Sequence, residues 1–351
     1  MKKRKTLDDF ECGFPSYIFL ELTKNCNLHC SMCRPFNKFQ TEWFMEDELL
    51  SKLKEEILCK AKVVDLRGWG ESTLDTRIID LARFLRNNNV KTIIYTNLNT
   101  QNPRFWKEFA GAGVEIAISI ETANEAHYSE IRRGGQLGYM RKNLRAIMEA
   151  CSDDNTLLRP FFNVVVSEST LRELKGLVEF ASQEKIERIE LNPISIANGE
   201  GHDIIGFTKE ITSEERVFFR ELLNESERKN VRIEIAANLY NENNALRRTC
   251  SHPWDYLCIG SNGDIIFCDH LIHNENGVVG NLANGSFWEI WNGKLYKTIR
   301  KCHYYTDFGY LNTKGLECEW CYLNRYGNKE YLVGGSGRPI ALSEYMKINN
   351  I

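Results

Sequence analysis

The chain has 351 residues, of which 42% are hydrophobic and 26% are charged, which is typical of a globular protein with room for a barrel and a smaller domain. Its formal net charge of −3 gives no bulk electrostatic attraction to nucleic acid, and no apolar run approaches the length of a membrane span. The basic start, Met1–Lys5, leads into Thr6–Asp9 rather than into the apolar core of a signal peptide. We therefore expect a cytoplasmic protein with neither nucleic-acid nor membrane partners.

Short apolar segments alternate with amphipathic stretches from Tyr17 to about Leu191. The predicted strands are Tyr17–Leu22, Val63–Leu66, Thr92–Tyr95, Val114–Ile120, Phe161–Val166 and Arg188–Leu191. The predicted helices between them are Glu46–Lys60, Thr76–Arg86, Pro103–Ala112, Gly138–Ala150 and Thr170–Gln183. This alternation predicts an α/β fold with a parallel sheet, either a barrel or partial barrel or an open doubly wound sheet.

Unusual residues follow the predicted strands, which is where both architectures collect functional groups. The segments after the six strands are, in order, Cys26–Cys33, Gly68-Trp69-Gly70-Glu71, Thr96-Asn97, Ser119 with Glu121, Ser167, and Asn192-Pro193. Because the carboxyl ends of parallel strands share one edge of a sheet, we expect these segments to meet.

Cys26, Cys30 and Cys33, here called the cysteine triad, stand at spacings x3 and x2 directly after the first predicted strand. Three thiolates can hold three corners of an iron–sulfur cube and leave one iron open. A structural zinc site is the alternative, but it requires four closed ligands. The spacing, with Met32 before the last cysteine, resembles the cluster loop of the radical S-adenosylmethionine (radical SAM) enzymes. That resemblance implies a partial (β/α)6 TIM-like barrel and a [4Fe–4S] cluster whose open iron chelates SAM.

Gly68-Trp69-Gly70-Glu71 resembles the Gly-Gly-Glu segment of the same family. The resemblance implies that Gly70 and Glu71 bind the methionine amine of SAM. Glycine permits close backbone approach, and a carboxylate can accept hydrogen bonds from an ammonium group. Trp69 and Ser72 depart from the family pattern, and a glycine-rich turn by itself is often only a turn.

The segment from Ser119 to Gly135 resembles a further part of the family pattern. The resemblance implies that Ser119 contacts SAM and that Arg132 or Arg133 positions the SAM carboxylate, with a solvated basic pair as the alternative. Glu121 stands where the family often has Asp, and it is a candidate for facing the substrate. Two asparagines at strand ends are candidates for the ribose or adenine side, or for ordinary turn formation; these are Asn97 and Asn192.

The pattern loosens between Ile194 and Thr249, where Ser213–Lys229 predicts a helix and Val231–Ile235 a strand at the barrel edge. A polar loop precedes that helix. Its His202 and Asp203 are candidates for a proton acceptor at the active site, although such a pair is more often simply solvated.

Six of the twelve cysteines follow position 249. Cys250 precedes His252-Pro253-Trp254, and Asn262-Gly263 predicts a two-residue hairpin turn that brings Cys258 and Cys268 near one another. Without a secretory signal, such cysteines indicate metal binding or catalysis rather than disulfides. A zinc ribbon is the alternative to an iron–sulfur site.

This region resembles the SPASM/twitch domain of radical SAM enzymes, on its hairpin glycine, Gly280-Asn281-Leu282, the Phe287–Trp291 segment and a final Cys-x2-Cys. It lacks the Cys-x2-Cys-x5-Cys-x3-Cys run of the two-cluster form, which implies one auxiliary [4Fe–4S] cluster. The implied ligands, here called the auxiliary cysteines, are Cys250, Cys268, Cys318 and Cys321. Cys258 is the rival of Cys250, or a small buried thiol.

We expect four regions: an extension over residues 1–15, a radical SAM barrel over 16–240, the auxiliary-cluster domain over 241–328 and a tail over 329–351. The resemblance implies reductive cleavage of SAM to a 5′-deoxyadenosyl radical that abstracts a substrate hydrogen atom. The electron comes from an external donor such as a flavodoxin or ferredoxin.

Three outcomes remain open for the substrate radical. The first is dehydrogenation of a small hydroxylated molecule, such as a sugar or aminocyclitol, with the auxiliary cluster as electron acceptor. The second is epimerisation with a thiol hydrogen donor, Cys302 or Cys258, and the third is modification of a peptide. Few residues precede the first strand, so we expect no leader-peptide-binding domain and prefer the small substrate. A non-enzymatic iron–sulfur electron carrier is the alternative of a different class.

Overall fold

The computed structural model describes residues 5–33, 43–193, 213–235, 250–272, 274–316, 318–319 and 340–348. Three residues named above, His202, Asp203 and Cys321, lie outside these ranges. The remaining candidate residues can all be placed.

The strands of the described residues form one sheet. They are β1 (Tyr17–Leu20), β2 (Val63–Asp65), β3 (Lys91–Thr96), β4 (Val114–Ser119), β5 (Phe161–Val166), β6 (Arg188–Pro193), β7 (Arg232–Ile235), β8 (Tyr256–Ile259), β9 (Asp264–Ile266), β10 (Val278–Asn281) and β11 (Ile340–Ala341). Their order across the sheet is β10-β9-β8-β1-β2-β3-β4-β5-β6-β7-β11. From β8 to β7 every neighbouring pair is parallel, which confirms the predicted partial barrel.

The helices lie mainly between the parallel strands. They are α1 (Asp47–Glu56), α2 (Ile78–Asn87), α3 (Pro103–Gly111), α4 (Glu125–Ile131), α5 (Leu137–Asp153), α6 (Glu168–Leu171), α7 (Leu174–Gln183), α8 (Ser213–Arg228), α9 (His252–Asp255), α10 (Phe287–Trp291), α11 (Lys294–Tyr305), α12 (Gly309–Thr313) and α13 (Leu342–Ile348). No helix in the described ranges is both long and apolar enough to cross a membrane.

One predicted helix, Thr170–Gln183, is in fact two, α6 and α7. Ser167 and Thr170 form a reciprocal capping box that starts a short helix before the apolar periodicity begins. The longer helix then carries the apolar face that packs on the sheet. The two helices differ because local capping governs the first and burial governs the second.

The C-terminal hairpin is joined directly to the barrel. β8 pairs parallel with β1, and β9 and β10 extend the sheet antiparallel beyond it. A hairpin turn lies where it was predicted, but Ile259 pairs with Ile265 and the Gly260 N–H donates to the Asp264 carbonyl, so the loop has three residues rather than two. Gly263 closes it with a φ of +85°, a conformation that favours glycine. The triad follows the carboxyl end of β1, whereas Cys250 and Cys268 flank the amino end of β8, so the two groups of cysteines lie at opposite edges of the same part of the sheet.

The two faces of the parallel strands differ. One face carries apolar side chains that are almost fully buried against the helices, for example Ile18, Ile94 and Phe162. Every second side chain of each strand points to the other face, here called the lumen face, which includes the half-buried Tyr95 and Glu190. Polar side chains that keep partial exposure indicate an accessible lumen rather than a packed barrel interior.

Candidate functional site

The cysteine triad lies in the loop after β1. This loop is fastened to the α4–α5 connection, because the backbone N–H groups of His29 and Ser31 donate to the carbonyl oxygens of Arg133 and Ile131 at 2.9 and 2.8 Å. Cys33 is exposed, whereas the other two cysteines are half-buried. The loop is thus held in place from the opposite side of the site.

The thiols of the triad face one another in a partly dry setting. Burial, followed by the charge of Glu71, raises the pKa of Cys26 to about 12, and burial also raises the pKa of Cys30. Thiols of this kind must lose protons when they bind metal.

Gly70 lies against the backbone of the cysteine loop. A Cβ atom at this position would stand 2.4 Å from the carbonyl oxygen of Asn25 and 2.5 Å from that of Thr23. The N–H of Glu71 also donates to the Asn25 carbonyl at 2.7 Å. Close backbone packing by itself therefore requires glycine here, and contact with SAM remains a prediction.

The Glu71 carboxylate is almost fully buried and already accepts several hydrogen bonds. Its donors are the hydroxyls of Thr73 and Thr96, at 2.6 and 2.8 Å, and the N–H of Asn97, at 2.9 Å. Burial raises the pKa of Glu71, although the hydrogen bonds from these donors lower it in part. The carboxylate thus joins the loops after β2 and β3, and its predicted contact with the SAM amine is additional to this role.

Asn97 joins the β3 loop to the cysteine loop. Its side-chain amide donates to Asn27 Oδ1 at 3.0 Å, and its Oδ1 accepts from the Asn99 N–H at 2.7 Å. Asn27 in turn donates to the Asn99 carbonyl at 3.1 Å. These contacts agree with the turn-forming alternative for Asn97, and its proposed place near ribose or adenine stays a prediction.

Arg132 is a buried partner of the cysteine loop. It donates two hydrogen bonds to Glu121, at 2.7 and 2.5 Å, and its Nη1 lies 3.8 Å from Cys30 Sγ. Burial lowers the pKa of Arg132, but the charges of Glu121 and Cys30 more than offset this and raise it. The solvated alternative is therefore wrong for Arg132, because the ion pair removes it from water. It fits Arg133, which is exposed.

A row of polar side chains crosses the carboxyl ends of β4 to β6. Ser119 pairs in register with Asn163, and Asn192 donates to Asn163 Oδ1 at 2.7 Å. Asn163 was missed from the sequence, although a single polar residue inside the apolar run of β5 is a usable signal. The row places Ser119 and Asn192 on the lumen face.

Arg67 is a second residue that was missed. Its guanidinium lies 4.7 Å from the centroid of the Tyr95 ring and 5.3 Å from that of Phe19. Its Nε lies 2.7 Å from Asp65, and its Nη2 lies 4.0 Å from Asp269. Charged residues at the end of a buried strand, as in Asp65-Leu66-Arg67, are the signal that could have identified it.

The described auxiliary cysteines are buried on the C-terminal segments. Cys250, Cys268 and Cys318 are 6–8% exposed. Cys250 directly precedes the turn into α9, and Cys268 follows β9. Three buried sulfur donors, together with the buried imidazole of His252, have the chemistry that an iron–sulfur cluster requires.

Cys258 and Cys302 occupy different environments. Cys258 is fully buried in β8 and pairs in register with Phe19 on the lumen face. Burial raises its pKa, and the nearby charges of Asp269 and Glu21 add to this. Cys302 is half-buried in α11, where burial likewise raises its pKa and its charged neighbours are Asp307 and Lys301. Of the two proposed hydrogen donors, the lumen contact favours Cys258.

Comparison with known proteins adds the following. A family model of the radical SAM superfamily matches residues 20–181, and a model of an iron–sulfur cluster-binding (SPASM) domain matches residues 250–322. The chain is 22% identical to the AdoMet-dependent heme synthase of Methanosarcina barkeri, over 82% of this chain and 85% of that protein. AdoMet is another abbreviation for SAM.

Two solved structures share the fold. One is SuiB of Streptococcus suis bound to the precursor peptide SuiA, with a TM-score of 0.62 and 17% identity over 82% of this chain and 67% of that chain. The other is anSMEcpe with bound AdoMet, with a TM-score of 0.61 and 13% identity over 95% of each chain.

The parallel partial barrel, the three-cysteine loop at its carboxyl edge and the two matched models together define a radical SAM enzyme. The chain belongs to the radical SAM superfamily and carries a SPASM-type iron–sulfur domain on its C-terminal side. Its cofactors are accordingly SAM, a [4Fe–4S] cluster and auxiliary iron–sulfur chemistry.

Proposed function

We propose that this enzyme oxidises a small, polar, hydroxylated substrate by two electrons, with the auxiliary cluster as electron acceptor. The observation that carries the proposal is the position of Arg67, which reaches from the loop after β2 to within 4.0 Å of Asp269, the residue after Cys268. Arg67 thus spans the lumen between the carboxyl edge, where the triad follows β1, and the amino edge, where Cys250 and Cys268 flank β8. A substrate in that lumen would lie between them.

The reaction begins at the cysteine triad. When bound there and reduced by an external flavodoxin or ferredoxin, the cluster supplies the electron that cleaves SAM to methionine and a 5′-deoxyadenosyl radical. The protein has two tasks in this step. Arg132 and Glu121 hold the loop around Cys30 without exposing their charges, and Glu71 ties the loop after β2 to the end of β3.

The lumen face supplies substrate contacts of both charges. Arg67 offers a guanidinium stacked against Tyr95, and Glu190 offers a carboxylate on the opposite side of the lumen. Glu190 has one hydrogen-bond donor in the described part of the chain, Asn192 Nδ2, at a long 3.4 Å. Such a carboxylate can still accept a proton or a hydrogen bond from a substrate hydroxyl.

The balance of the reaction follows from these positions. A hydrogen atom leaves the substrate carbon for the 5′-deoxyadenosyl radical, and the hydroxyl proton leaves for Glu190. Cys250, Cys268 and Cys318 would hold the auxiliary cluster, which would accept the remaining electron and so complete the oxidation of the alcohol to a carbonyl. His202 and Asp203 lie outside the described residues, so we assign the proton acceptor to Glu190 instead.

The test starts with reduced, reconstituted protein and SAM. We expect 5′-deoxyadenosine to form. We also expect deuterium to enter it from a sugar or aminocyclitol that is deuterated at carbon, but only when that compound is the substrate. No 5′-deoxyadenosine under any condition would remove the enzyme hypothesis and favour an electron carrier. Deuterium transfer without a carbonyl product would contradict the oxidation.

Peptide modification is the second candidate. It is suggested by the shared fold with SuiB, which was solved with a precursor peptide, and with anSMEcpe, also solved with peptides. The same labelling assay separates the two candidates, because a peptide substrate would transfer deuterium where sugars and aminocyclitols do not.

A further inference from the structure

His252 is a buried side chain whose polar atoms have no obvious purpose in the protein alone. It is 1% exposed, and neither ring nitrogen reaches an oxygen or nitrogen partner with hydrogen-bond geometry among the described residues, although the sulfur of Cys250 interacts with the ring. Buried polar groups are normally satisfied, because an unmade hydrogen bond costs the full desolvation of the group. The exception therefore calls for a ligand, since the imidazole has no access to water.

The surroundings of His252 show where that ligand would lie. The ring packs against Tyr256 at a centroid distance of 4.5 Å and a tilt of 52°. On another side, one ligand atom each of His252, Cys268 and Asp269 lie within 4.8 Å of one another. The sulfur of Cys250 is also close enough to interact with the ring. The ring nitrogens thus lie beside two auxiliary cysteines.

Asp269 does not satisfy the ring. Its Oδ1 lies 3.8 Å from His252 Nε2, which is too long for a hydrogen bond. The same carboxylate has Arg67 at 4.0 Å on its other side. An iron–sulfur cluster would bring thiolate and sulfide sulfurs into the space that the two nitrogens adjoin, and both kinds of sulfur accept hydrogen bonds.

We propose that an N–H of His252 donates a hydrogen bond to a sulfur atom of the auxiliary cluster and thereby raises the reduction potential of that cluster. A donor at sulfur stabilises the reduced state, which carries one more negative charge, more than the oxidised state. His252 is a positioning residue in this sense, and it makes the cluster a better electron acceptor. The inference rests on the auxiliary cluster of the proposed function but requires no substrate.

The experiment isolates the auxiliary cluster in the full-length chain by replacing Cys26, Cys30 and Cys33 with Ala. Into this background go His252→Phe, which keeps a flat ring without a donor, and His252→Gln, which keeps an amide donor. Tyr256→Phe is the matched control, because it alters the ring that packs on His252 without touching the donor. The readout is the midpoint potential, measured by redox titration followed by electron paramagnetic resonance.

We expect His252→Phe to move the potential to more negative values, His252→Gln to recover part of the shift, and Tyr256→Phe to leave it unchanged. An unchanged potential in His252→Phe with full iron content would overturn the proposal. A shift of equal size in Tyr256→Phe would also overturn it, because loss of a buried hydroxyl that leaves the His252 donor in place would then have the same effect.

A measurement on unsubstituted His252 covers the case in which His252→Phe loses the cluster. In protein labelled with ¹⁵N-histidine, pulsed electron paramagnetic resonance of the reduced auxiliary cluster should detect a weakly coupled histidine nitrogen. Absence of coupling, or the strong coupling of a nitrogen bound to iron, would contradict the hydrogen bond. If the triple-Ala background holds no iron, the electron acceptor of the proposed function fails as well, whereas SAM cleavage by the unsubstituted enzyme would stand.

Discussion

The two cysteine-bearing regions of the molecule differ in how exposed their cysteines are and in what holds each segment in place. The triad lies in a loop with an exposed Cys33, and that loop is held by backbone hydrogen bonds and by the buried Arg132–Glu121 pair. The described auxiliary cysteines are buried and flank short regular elements. An open iron must admit SAM and an electron donor, whereas a cluster that only receives electrons is better enclosed.

The difference teaches that accessibility follows from how each segment is held. A loop that is tied by its backbone can keep thiols near the surface, since its side chains are not needed for packing. A hairpin that pairs with β1 must bury its own apolar arms, and the cysteines beside those arms become buried with them. The following substitutions test this contrast, beginning with the largest expected effect.

Replacing Cys26 with Ala should abolish SAM cleavage, because three thiolates are the minimum that holds a cluster with one open iron. Iron analysis should then fall from about eight to about four atoms per chain, since the auxiliary cluster remains. Retention of 5′-deoxyadenosine formation would show that the triad is not the radical-generating site.

Replacing Cys250 with Ala should also remove about half of the iron, through loss of the auxiliary cluster, but SAM cleavage should persist. Cys258→Ala is the matched comparison and should keep the iron, because we assign Cys258 as a fully buried thiol of β8 rather than as a cluster ligand. The reverse pattern in iron analysis would exchange the two assignments. Loss of turnover in Cys258→Ala with full iron would instead favour the epimerase hypothesis.

Replacing Glu190 with Gln should lower product formation by about 10²–10⁴-fold, the usual contribution of a general base. Formation of 5′-deoxyadenosine should continue, because the radical step does not need the carboxylate. Burial raises the pKa of Glu190, and the charge of Glu234 raises it further. The charges of Arg188 and Arg67 and the hydrogen bond from the Asn192 amide lower it, but the net shift is upward. Product formation in the parent enzyme should therefore fall as the pH drops through this raised pKa.

The matched control for that substitution is Glu234→Gln. Glu234 faces Glu190 in register across β6 and β7, but it is paired with Arg232 at 2.9 Å. Glu234→Gln should leave product formation close to that of the parent enzyme, and it should move the pH profile slightly toward lower pH, because loss of the Glu234 charge lowers the raised pKa of Glu190. An equal loss in both variants would show that general lumen charge, rather than Glu190, is what matters.

Replacing Arg132 with Met should destabilise the protein by about 3–5 kcal/mol, because Glu121 would remain buried without its partner. Adding Glu121→Gln should recover much of that loss, since the buried charge is then gone. Urea denaturation of the cluster-free protein measures both free energies of unfolding. A loss below about 1 kcal/mol, the value of an exposed pair, would contradict the burial of this ion pair.

Much of the fold could be predicted because it follows from local periodicity. The predicted strands at Val114–Ile120 and Phe161–Val166 agree with β4 and β5 to within one residue, since β-branched apolar runs favour buried parallel strands. The break between α6 and α7 was missed, because apolar spacing does not reveal a capping box that precedes it. Spacing also identified the cysteine triad, because its three ligands are close in the chain.

The rest of the site could not be predicted, because it is assembled from residues far apart in the chain. The sequence does not distinguish Arg132 from its neighbour Arg133. The tertiary structure does, because Arg132 is buried and paired with Glu121, whereas Arg133 is exposed. Arg67 and Glu190 looked like ordinary charges at strand ends until their shared face became visible.

The sequence by itself determined the alternation of strands and helices, the triad and the hairpin turn at Gly263, since each depends on neighbours within a few residues. The tertiary structure alone decided that β8 pairs with β1 and that the buried His252 lies beside Cys268. The physical reason is that burial and the sharing of hydrogen bonds are properties of packed neighbours, and spacing along the chain does not specify which distant segments pack together.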